Sequence, residues 1–283
     1  MDEKQKAFIG LNFSIFLVGV TGLFGKIIST SAFFIVFGRV LFAVMALFLF
    51  LKLKREKLKP NSAKDMLMFL GLGALLTFHW FAFFHSIKLS SVAIGLLTFG
   101  TFPIFTTFLE PIFLKTKFTA RDLIVAVICF VGVALVVPNL NFQTDYGQGA
   151  IWGIIAGLSY AFIVITNKTY VARYSSVTLT FYQFSVSLLI CLPVVLWMQE
   201  TVLPMDWVYL AFNGVICTAL AHSLYIYSSR YIDAQTISVL TMMEVLYGIV
   251  LAYFILNETI TLQMGFGGGL IMLASYLAVR KHR

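Results

Sequence analysis

Three ionisable side chains stand inside long apolar runs: Arg39, Glu110 and Glu244. A charge in hydrocarbon costs about 2.5–3.5 kcal/mol on insertion scales, so such residues turn towards a protein or water interior and often handle a solute or a proton. The guanidinium of Arg39 can grip a carboxylate through two parallel N–H bonds, or it can satisfy backbone carbonyls at a helix end. Glu244 can bind an ammonium group or exchange a proton, or it can serve as a hydrogen-bonded structural acid. Glu110, beside Pro111 and near Lys115, is placed to reach out to a basic membrane surface. Other polar groups recur at helical spacing. Thr218, His222 and Tyr225 follow i, i+4, i+7; Tyr160 and Asn167 fall on one stripe; Tyr247 lies one turn beyond Glu244. His79 with Trp80, Tyr182 with Gln183, and Asn12 on the face of Gly19 complete the set. The expected solute-binding residues are therefore Asn12, Arg39, His79, Trp80, Tyr160, Tyr182, Gln183, His222, Tyr225 and Tyr247, with Glu244 as the proton-coupling residue. Polar groups in lipid more often join helices by hydrogen bonds than bind a ligand, and each of these residues is open to that reading too.

No catalytic constellation accompanies them. There is no HExxH, no GxSxG and no GxxxxGK[ST] loop, and His79 and His85 fall on different helical faces, a poor metal geometry. Cys129, Cys191 and Cys217 are scattered through apolar runs, which suits packing and neither a disulfide framework nor a metal site. No cofactor and no metal are expected.

The elements that must carry these residues are membrane spans. Of the 283 residues, 60% are hydrophobic and 11% charged, against about 45–50% and about 25% in soluble domains. Mean hydropathy is +0.94. One water-facing core cannot hide that much apolar surface, which excludes a soluble, a disordered or a nucleic-acid-binding protein. A ruler of ~20 apolar residues gives ten candidate spans, at 7–25, 32–51, 66–86, 90–113, 121–138, 149–167, 177–198, 206–226, 236–256 and 262–279. The first is read as a retained span, since its apolar run is longer than a signal-peptide core and Asn12 and Ser14 interrupt it. With the N-terminus in the cytoplasm, only Lys26 and Lys88 of the 20 Lys and Arg residues fall on the outer side, and Arg39 lies within a span. The rest face the cytoplasm, a strong positive-inside signal that places both termini there. The net charge of +8 thus reads as a topology signal facing anionic lipid.

Ten spans invite a search for duplication. A shift of 142 residues lays Lys117-Phe118-Thr119 on Thr259-Ile260-Thr261, Gly25-Lys26 on Asn167-Lys168, and Leu135 and Val137 on Leu277 and Val279. Five spans followed by five puts the second half in the membrane upside down, the inverted-repeat plan of many secondary transporters. The expected fold is an all-α integral membrane protein of ten transmembrane helices, with repeats at 1–140 and 147–283. Gly265-Phe266-Gly267-Gly268-Gly269, which contains a GxxxG, is expected to pack helices, and Gly71-Leu72-Gly73 is no nucleotide loop.

The arginine in span 2, the Leu256-Asn257-Glu258-Thr259-Ile260-Thr261 junction and the glycine-rich last span with its basic tail resemble the EamA family of the drug/metabolite transporter superfamily. The first half carries Thr116-Lys117-Phe118-Thr119 where the family has a glutamate, and Val245 follows Glu244 where the family often has proline, while Pro103 remains. The resemblance implies movement of small metabolites, often amino acids, without ATP hydrolysis. It points to an exporter in the cytoplasmic (inner) membrane of a bacterium. The expected partners are a small-molecule solute, membrane lipids and protons, with a monomer and a homodimer equally open. Two other classes stand beside this one. A receptor or scaffold subunit would need sizeable loops, which are missing. A membrane-embedded enzyme would need a catalytic pair, and Glu110 and Glu244 lie at different depths.

Overall fold

In the computed structural model, residues 2–55, 62–114, 120–137, 141, 143–170, 174–228, 231–232, 237 and 240–279 are described, without side chains at 110–111, 114, 121, 167–170, 176 and 278–279. Most of the basic cytoplasmic loops expected from the sequence, including Lys59, Lys117 and residues 280–283, lie outside the described residues. So do Thr116 and the side chains of Glu110 and Asn167.

The described residues contain helices and no strand. The helices are α1 (Glu3–Ile27), α2 (Ala32–Lys54), α3 (Ala63–Leu89), α4 (Val92–Phe99), α5 (Phe102–Leu114), α6 (Ala120–Val136) and α7 (Asp145–Tyr170). There follow α8 (Ser176–Met198), α9 (Pro204–Gly214), a π-helical stretch (Val215–Leu220), α10 (Ala221–Ser228), α11 (Met243–Leu256) and α12 (Leu262–Val279). Small polar side chains start many of them, because the first N–H groups of a helix lack partners. Asp2 and Gln5 form a reciprocal capping box on α1, and Ser31, Ser62, Ser91 and Ser175 cap α2, α3, α4 and α8. Arg55, Gln199 and Asn257 end α2, α8 and α11 in the left-handed region.

Among the described residues, seven helical segments are long and apolar enough to cross a bilayer. Three further apolar helices, Asp122–Val136, Met243–Leu256 and Leu262–Leu277, are shorter, and at 1.5 Å per residue they do not reach ~30 Å alone. The outside of the bundle is strongly apolar. Leu262, Trp197 and Phe254 are 85%, 83% and 74% exposed, a surface suited to lipid.

Two expected spans are not continuous. The run 90–113 is broken at Gly100-Thr101, between α4 and α5. Pro103 has no N–H to return to the Phe99 carbonyl, and side-chain hydroxyls serve the carbonyls on either side of it. Gly100 O accepts from Ser275 Oγ of α12 (2.8 Å), and Thr98 O accepts from Thr101 Oγ1 (2.7 Å). In the run 236–256 a turn at Met242 precedes α11, closed by Val245 N–H donating to Met242 O (3.3 Å). Glu244, expected near the middle of one helix, is instead in the first turn of a half-length one. Broken helices at membrane depth are tolerated where they are buried in protein or line a cavity.

The bundle packs α3 on α7, α1 on α10 and α11, α2 on α8 and α9, α4 and α5 on α7, and α6 on α12. Buried hydroxyl and imidazole groups tie these pairs together. Ser14 Oγ donates to Ala221 O (2.7 Å) and His79 Nδ1 to Ala156 O (2.9 Å). Ser86 Oγ donates to Gly149 O (2.6 Å) and Ser228 Oγ to Ala7 O (2.8 Å).

Between α6 and α12 the backbones touch. A Cβ on Gly132 would stand 2.7 Å from Gly267 O, and one on Gly267 would stand 2.6 Å from Gly132 O. Gly265 and Gly269, the two ends of the GxxxG, face open space. The packing glycine of that run is Gly267. Gly267→Val is therefore expected to destabilise by about 1–3 kcal/mol through overpacking, and Gly269→Val to be near neutral. Thermal denaturation of both variants in detergent checks this. Equal midpoints would contradict the contact.

At the end of the bundle carrying the α1–α2, α3–α4, α8–α9 and α11–α12 turns, side chains bridge the two halves of the sequence. Ser29 gives its N–H (3.2 Å) and hydroxyl to Asp206, Ser31 N–H donates to Glu200 (2.9 Å), and Val92 and Ala93 N–H donate to the Glu258 carboxylate (2.8 and 3.2 Å). Lys26 Nζ donates to Lys88 O and Ser90 O, and Lys88 Nζ to Ile28 O. Acids meet helix N-termini and lysines meet helix C-termini, as the backbone dipoles favour.

Candidate functional site

Small residues decide how α2 meets the segment opposite it. A Cβ on Gly38 would stand 2.7 Å from the Leu210 side chain, and one on Gly214 would stand 2.5 Å from Arg39 O and 2.7 Å from Phe42 Cβ. Without side chains at these two points, α9 and the π-helical stretch lie directly against the backbone of α2. That approach delivers Thr218 to Arg39. Thr218 Oγ1 accepts from Arg39 Nε (3.1 Å) and Nη2 (2.9 Å) while donating to Asn213 O (2.8 Å), five residues back. The guanidinium carbon lies over the Trp80 ring, 4.1 Å from its centroid, and 5.3 Å from that of Phe84, a cation–π arrangement strengthened by desolvation. Arg39 is 2% exposed, and among the described residues no carboxylate comes within ion-pair distance of it.

Arg39 borders a cavity of about 400 Å³ between the helices. Of the residues expected from the sequence, Arg39, His79, Trp80, Tyr160, Gln183, His222, Tyr225 and Glu244 line it. They come from α2, α3, α7, α8, α10 and α11, hence from both halves of the chain. His79 donates through Nδ1 to Ala156 O, and its ring packs on Tyr160 at 5.1 Å and on Phe99 at 5.6 Å. His222 donates through Nδ1 to Thr218 O (3.1 Å) and meets the edges of Trp80 and Phe184. Glu244 is buried, and no hydrogen bond or ion pair reaches its carboxylate from the described residues. The wall between these groups is aromatic and aliphatic, with Phe83, Phe99, Ile163 and Leu76 among its members. A buried arginine, an acid that accepts no hydrogen bond from the described residues and an apolar wall in one enclosure suit a small solute with both charges and an apolar body.

Three expected residues face elsewhere. Asn12 donates to Phe8 O of its own helix (2.8 Å) and does not line the cavity. Tyr182 stacks on Phe69 at 4.5 Å, about 100° round α8 from Gln183. Tyr247 packs edge-on against Phe16 at 5.6 Å, between α1 and α11. The sequence reading also missed lining residues: Ser14, Thr21, Thr106, Thr180 and Thr241. Several of them return their hydroxyl to their own helix, as Thr106 does to Phe102 O (3.0 Å) and Thr241 to Ile237 O (2.9 Å). Such back-bonded threonines are ordinary in membrane helices and give no signal in one sequence.

The lining is not centred. From the bridged end it starts about two turns in, at Thr21 and Arg39, and continues to Ile226, Ile232 and Ile237 near the opposite end. Among the described residues no group of three or more His, Cys, Asp or Glu could hold a metal. The three cysteines are free and buried.

The chain is similar to known proteins over most of its length. The model of the EamA-like transporter family matches residues 5–137 and 147–280. An uncharacterized transporter of Bacillus subtilis (strain 168) is 28% identical over 255 residues, covering 88% of this chain and 81% of its own. An uncharacterized transporter of Archaeoglobus fulgidus is 24% identical over 268 residues, covering 95% and 94%. An S-adenosylmethionine uptake transporter of Rickettsia bellii (strain RML369-C) is 23% identical over 188 residues, covering 66% of this chain and 63% of its own. One solved crystal structure shares the fold over 98% of this chain and 99% of its own, with a TM-score of 0.69 at 12% identity. With both matched stretches together spanning most of its length, the chain belongs to the EamA-like transporter family and is a multi-pass membrane protein.

Proposed function

We propose that the chain is a secondary transporter for small zwitterionic metabolites of the amino-acid type, working by alternating access without ATP. The observation that carries this reading is the shared cavity. Arg39, without a carboxylate partner among the described residues, and the buried Glu244 face one enclosure of about 400 Å³ with an aromatic and aliphatic wall. Arg39 takes the solute carboxylate, Glu244 takes the ammonium group or exchanges a proton, and His79, Trp80, Tyr160, Gln183, His222 and Tyr225 enclose the remainder. S-adenosylmethionine, named for the Rickettsia relatives, carries the same α-amino acid head, with a sulfonium and an adenosyl group besides.

Ten crossings arranged as inverted repeats at 1–140 and 147–283 are part of the proposal. The four buried hydrogen bonds support it. The 142-residue shift turns Ser14–Ala221 into Ala156–His79 and Ser86–Gly149 into Ser228–Ala7. The helix packing supports it as well. Exchanging the halves converts α3 on α7 into α10 on α1, and α5 on α7 into α11 on α1. A two-fold relation of this kind lets one architecture adopt inward-open and outward-open shapes. With both termini in the cytoplasm, the bridged end is outer, and the cavity is reached from the cytoplasmic side. Net direction then follows the solute and proton gradients.

Reporter fusions after Lys59 and at the C-terminus are expected to report cytoplasm; an external signal at either would contradict this topology. Transport itself is tested by counterflow in liposomes without ATP, using labelled L-phenylalanine, L-leucine and S-adenosylmethionine. Accelerated exchange of at least one is expected. Failure of all three with folded, correctly inserted protein would contradict the proposed class.

A further inference from the structure

We propose that Thr218 is a positioning residue: it locks the Arg39 guanidinium in the orientation that distinguishes a carboxylate from its amide. The proposal rests on the reading of the cavity as a solute site and names what sets its selectivity. A hydroxyl has one proton to give and two lone pairs. At Thr218 all three are committed in one direction. The proton goes to Asn213 O (2.8 Å), and the lone pairs accept Nε–H (3.1 Å) and Nη2–H (2.9 Å) of Arg39. Because the backbone carbonyl can only accept, the hydroxyl cannot reverse, and it presents only acceptors to the arginine.

The local fold makes this arrangement available. Asn213 and Thr218 are five residues apart, the spacing of a π turn, and Thr218 lies within the π-helical stretch Val215–Leu220. Such widened turns occur mainly as single insertions in α-helices, frequently at functional sites. Here the widened turn directs Thr218 to α2, while His222, one turn later, still lines the cavity. The Trp80 ring packs against the guanidinium, with Cζ 4.1 Å from its centroid. Held at one edge by Thr218 and packed against Trp80, the guanidinium retains N–H groups that bond to none of the described residues. A planar fork fixed in this way meets both oxygens of a carboxylate, whereas an amide offers one acceptor and an opposing N–H.

The test compares Thr218→Val, which keeps the shape and deletes both acceptor and donor, with Thr218→Ser, which keeps the hydroxyl. Counterflow of labelled L-phenylalanine is measured in liposomes, with L-phenylalanine and L-phenylalaninamide as competitors. Thr218→Val is expected to raise KM about tenfold with little change in maximal rate, and to bring the two competitors close to equal potency. Thr218→Ser recovers most of the discrimination. Thr218→Ala serves the same comparison if the valine protein does not fold. A second readout needs no solute: phenylglyoxal modification of Arg39, mapped by mass spectrometry, is expected to be at least threefold faster in Thr218→Val than in wild type or Thr218→Ser. Unchanged KM and discrimination in Thr218→Val, or equal modification rates in all three proteins, would overturn the proposal. If wild type exchanges no L-phenylalanine, the solute reading is what fails, and the phenylglyoxal rates still decide whether Thr218 holds Arg39.

Discussion

Arg39→Lys is expected to lower exchange of an α-amino acid at least tenfold although the positive charge is kept. The guanidinium makes two bonds to one hydroxyl and has its Cζ over the Trp80 ring. An ammonium is a compact point charge that offers neither the planar fork nor the stacking face. It also carries tighter hydration, so holding it in a 2% exposed site costs more. Hydrogen bonds to charged groups contribute about 1.5–3 kcal/mol each, and losing one properly aimed bond is enough for a tenfold effect. The loss should appear for carboxylate-bearing solutes and be small for the corresponding amides. Counterflow in liposomes checks the expectation, with protein insertion and melting temperature as controls. Wild-type exchange by a folded Arg39→Lys protein would remove Arg39 from solute recognition. Failure of the variant to fold would assign it a structural role.

Glu244→Gln carries the second large effect. Its carboxylate is buried in the first turn of α11 and bonds to none of the described residues. A buried bare carboxylate is costly unless an opposite charge accompanies it. Solute ammonium or a proton is such a companion, and the need to have one ties occupancy to conformational change. Glutamine keeps the shape and fixes the uncharged form. The variant is expected to fold and to exchange solute, while its proton-driven accumulation ratio collapses to about one. Loading liposomes under an imposed pH gradient measures that ratio. Accumulation that survives unchanged in Glu244→Gln would make Glu244 a structural acid.

Span positions were legible because continuous apolar length is a property of the chain itself: expected runs at 32–51 and 177–198 became Ala32–Lys54 and Ser176–Met198. Breaks inside the runs were not. Hydrophobicity is unchanged across Gly100-Thr101 and across Met242, so a length ruler passes over both, although Pro103 was a visible marker of the first. Helical spacing groups residues into stripes but does not say which stripe meets the cavity when a helix is apolar all round. Gln183 and its neighbour Tyr182 illustrate this, one in the cavity and the other against Phe69. The stripe Thr218, His222, Tyr225 assumed a regular helix. The widened turn altered it, and Thr218 went to Arg39 while the other two reached the cavity. Asn12 shows the opposite error, a polar group whose amide turns back to a carbonyl of its own helix.

The claim on which the rest depends is that this cavity is the path of the solute. Val164 lines it and is partly exposed there, and the native Cys129, Cys191 and Cys217 are buried. In a protein with those three cysteines replaced by alanine, Val164→Cys gives one addressable thiol on the wall. Labelling it with a bulky methanethiosulfonate reagent, and following L-phenylalanine counterflow in liposomes, tests the claim most directly. The account predicts that complete labelling abolishes exchange and that added L-phenylalanine slows labelling. Full labelling with exchange intact would contradict it.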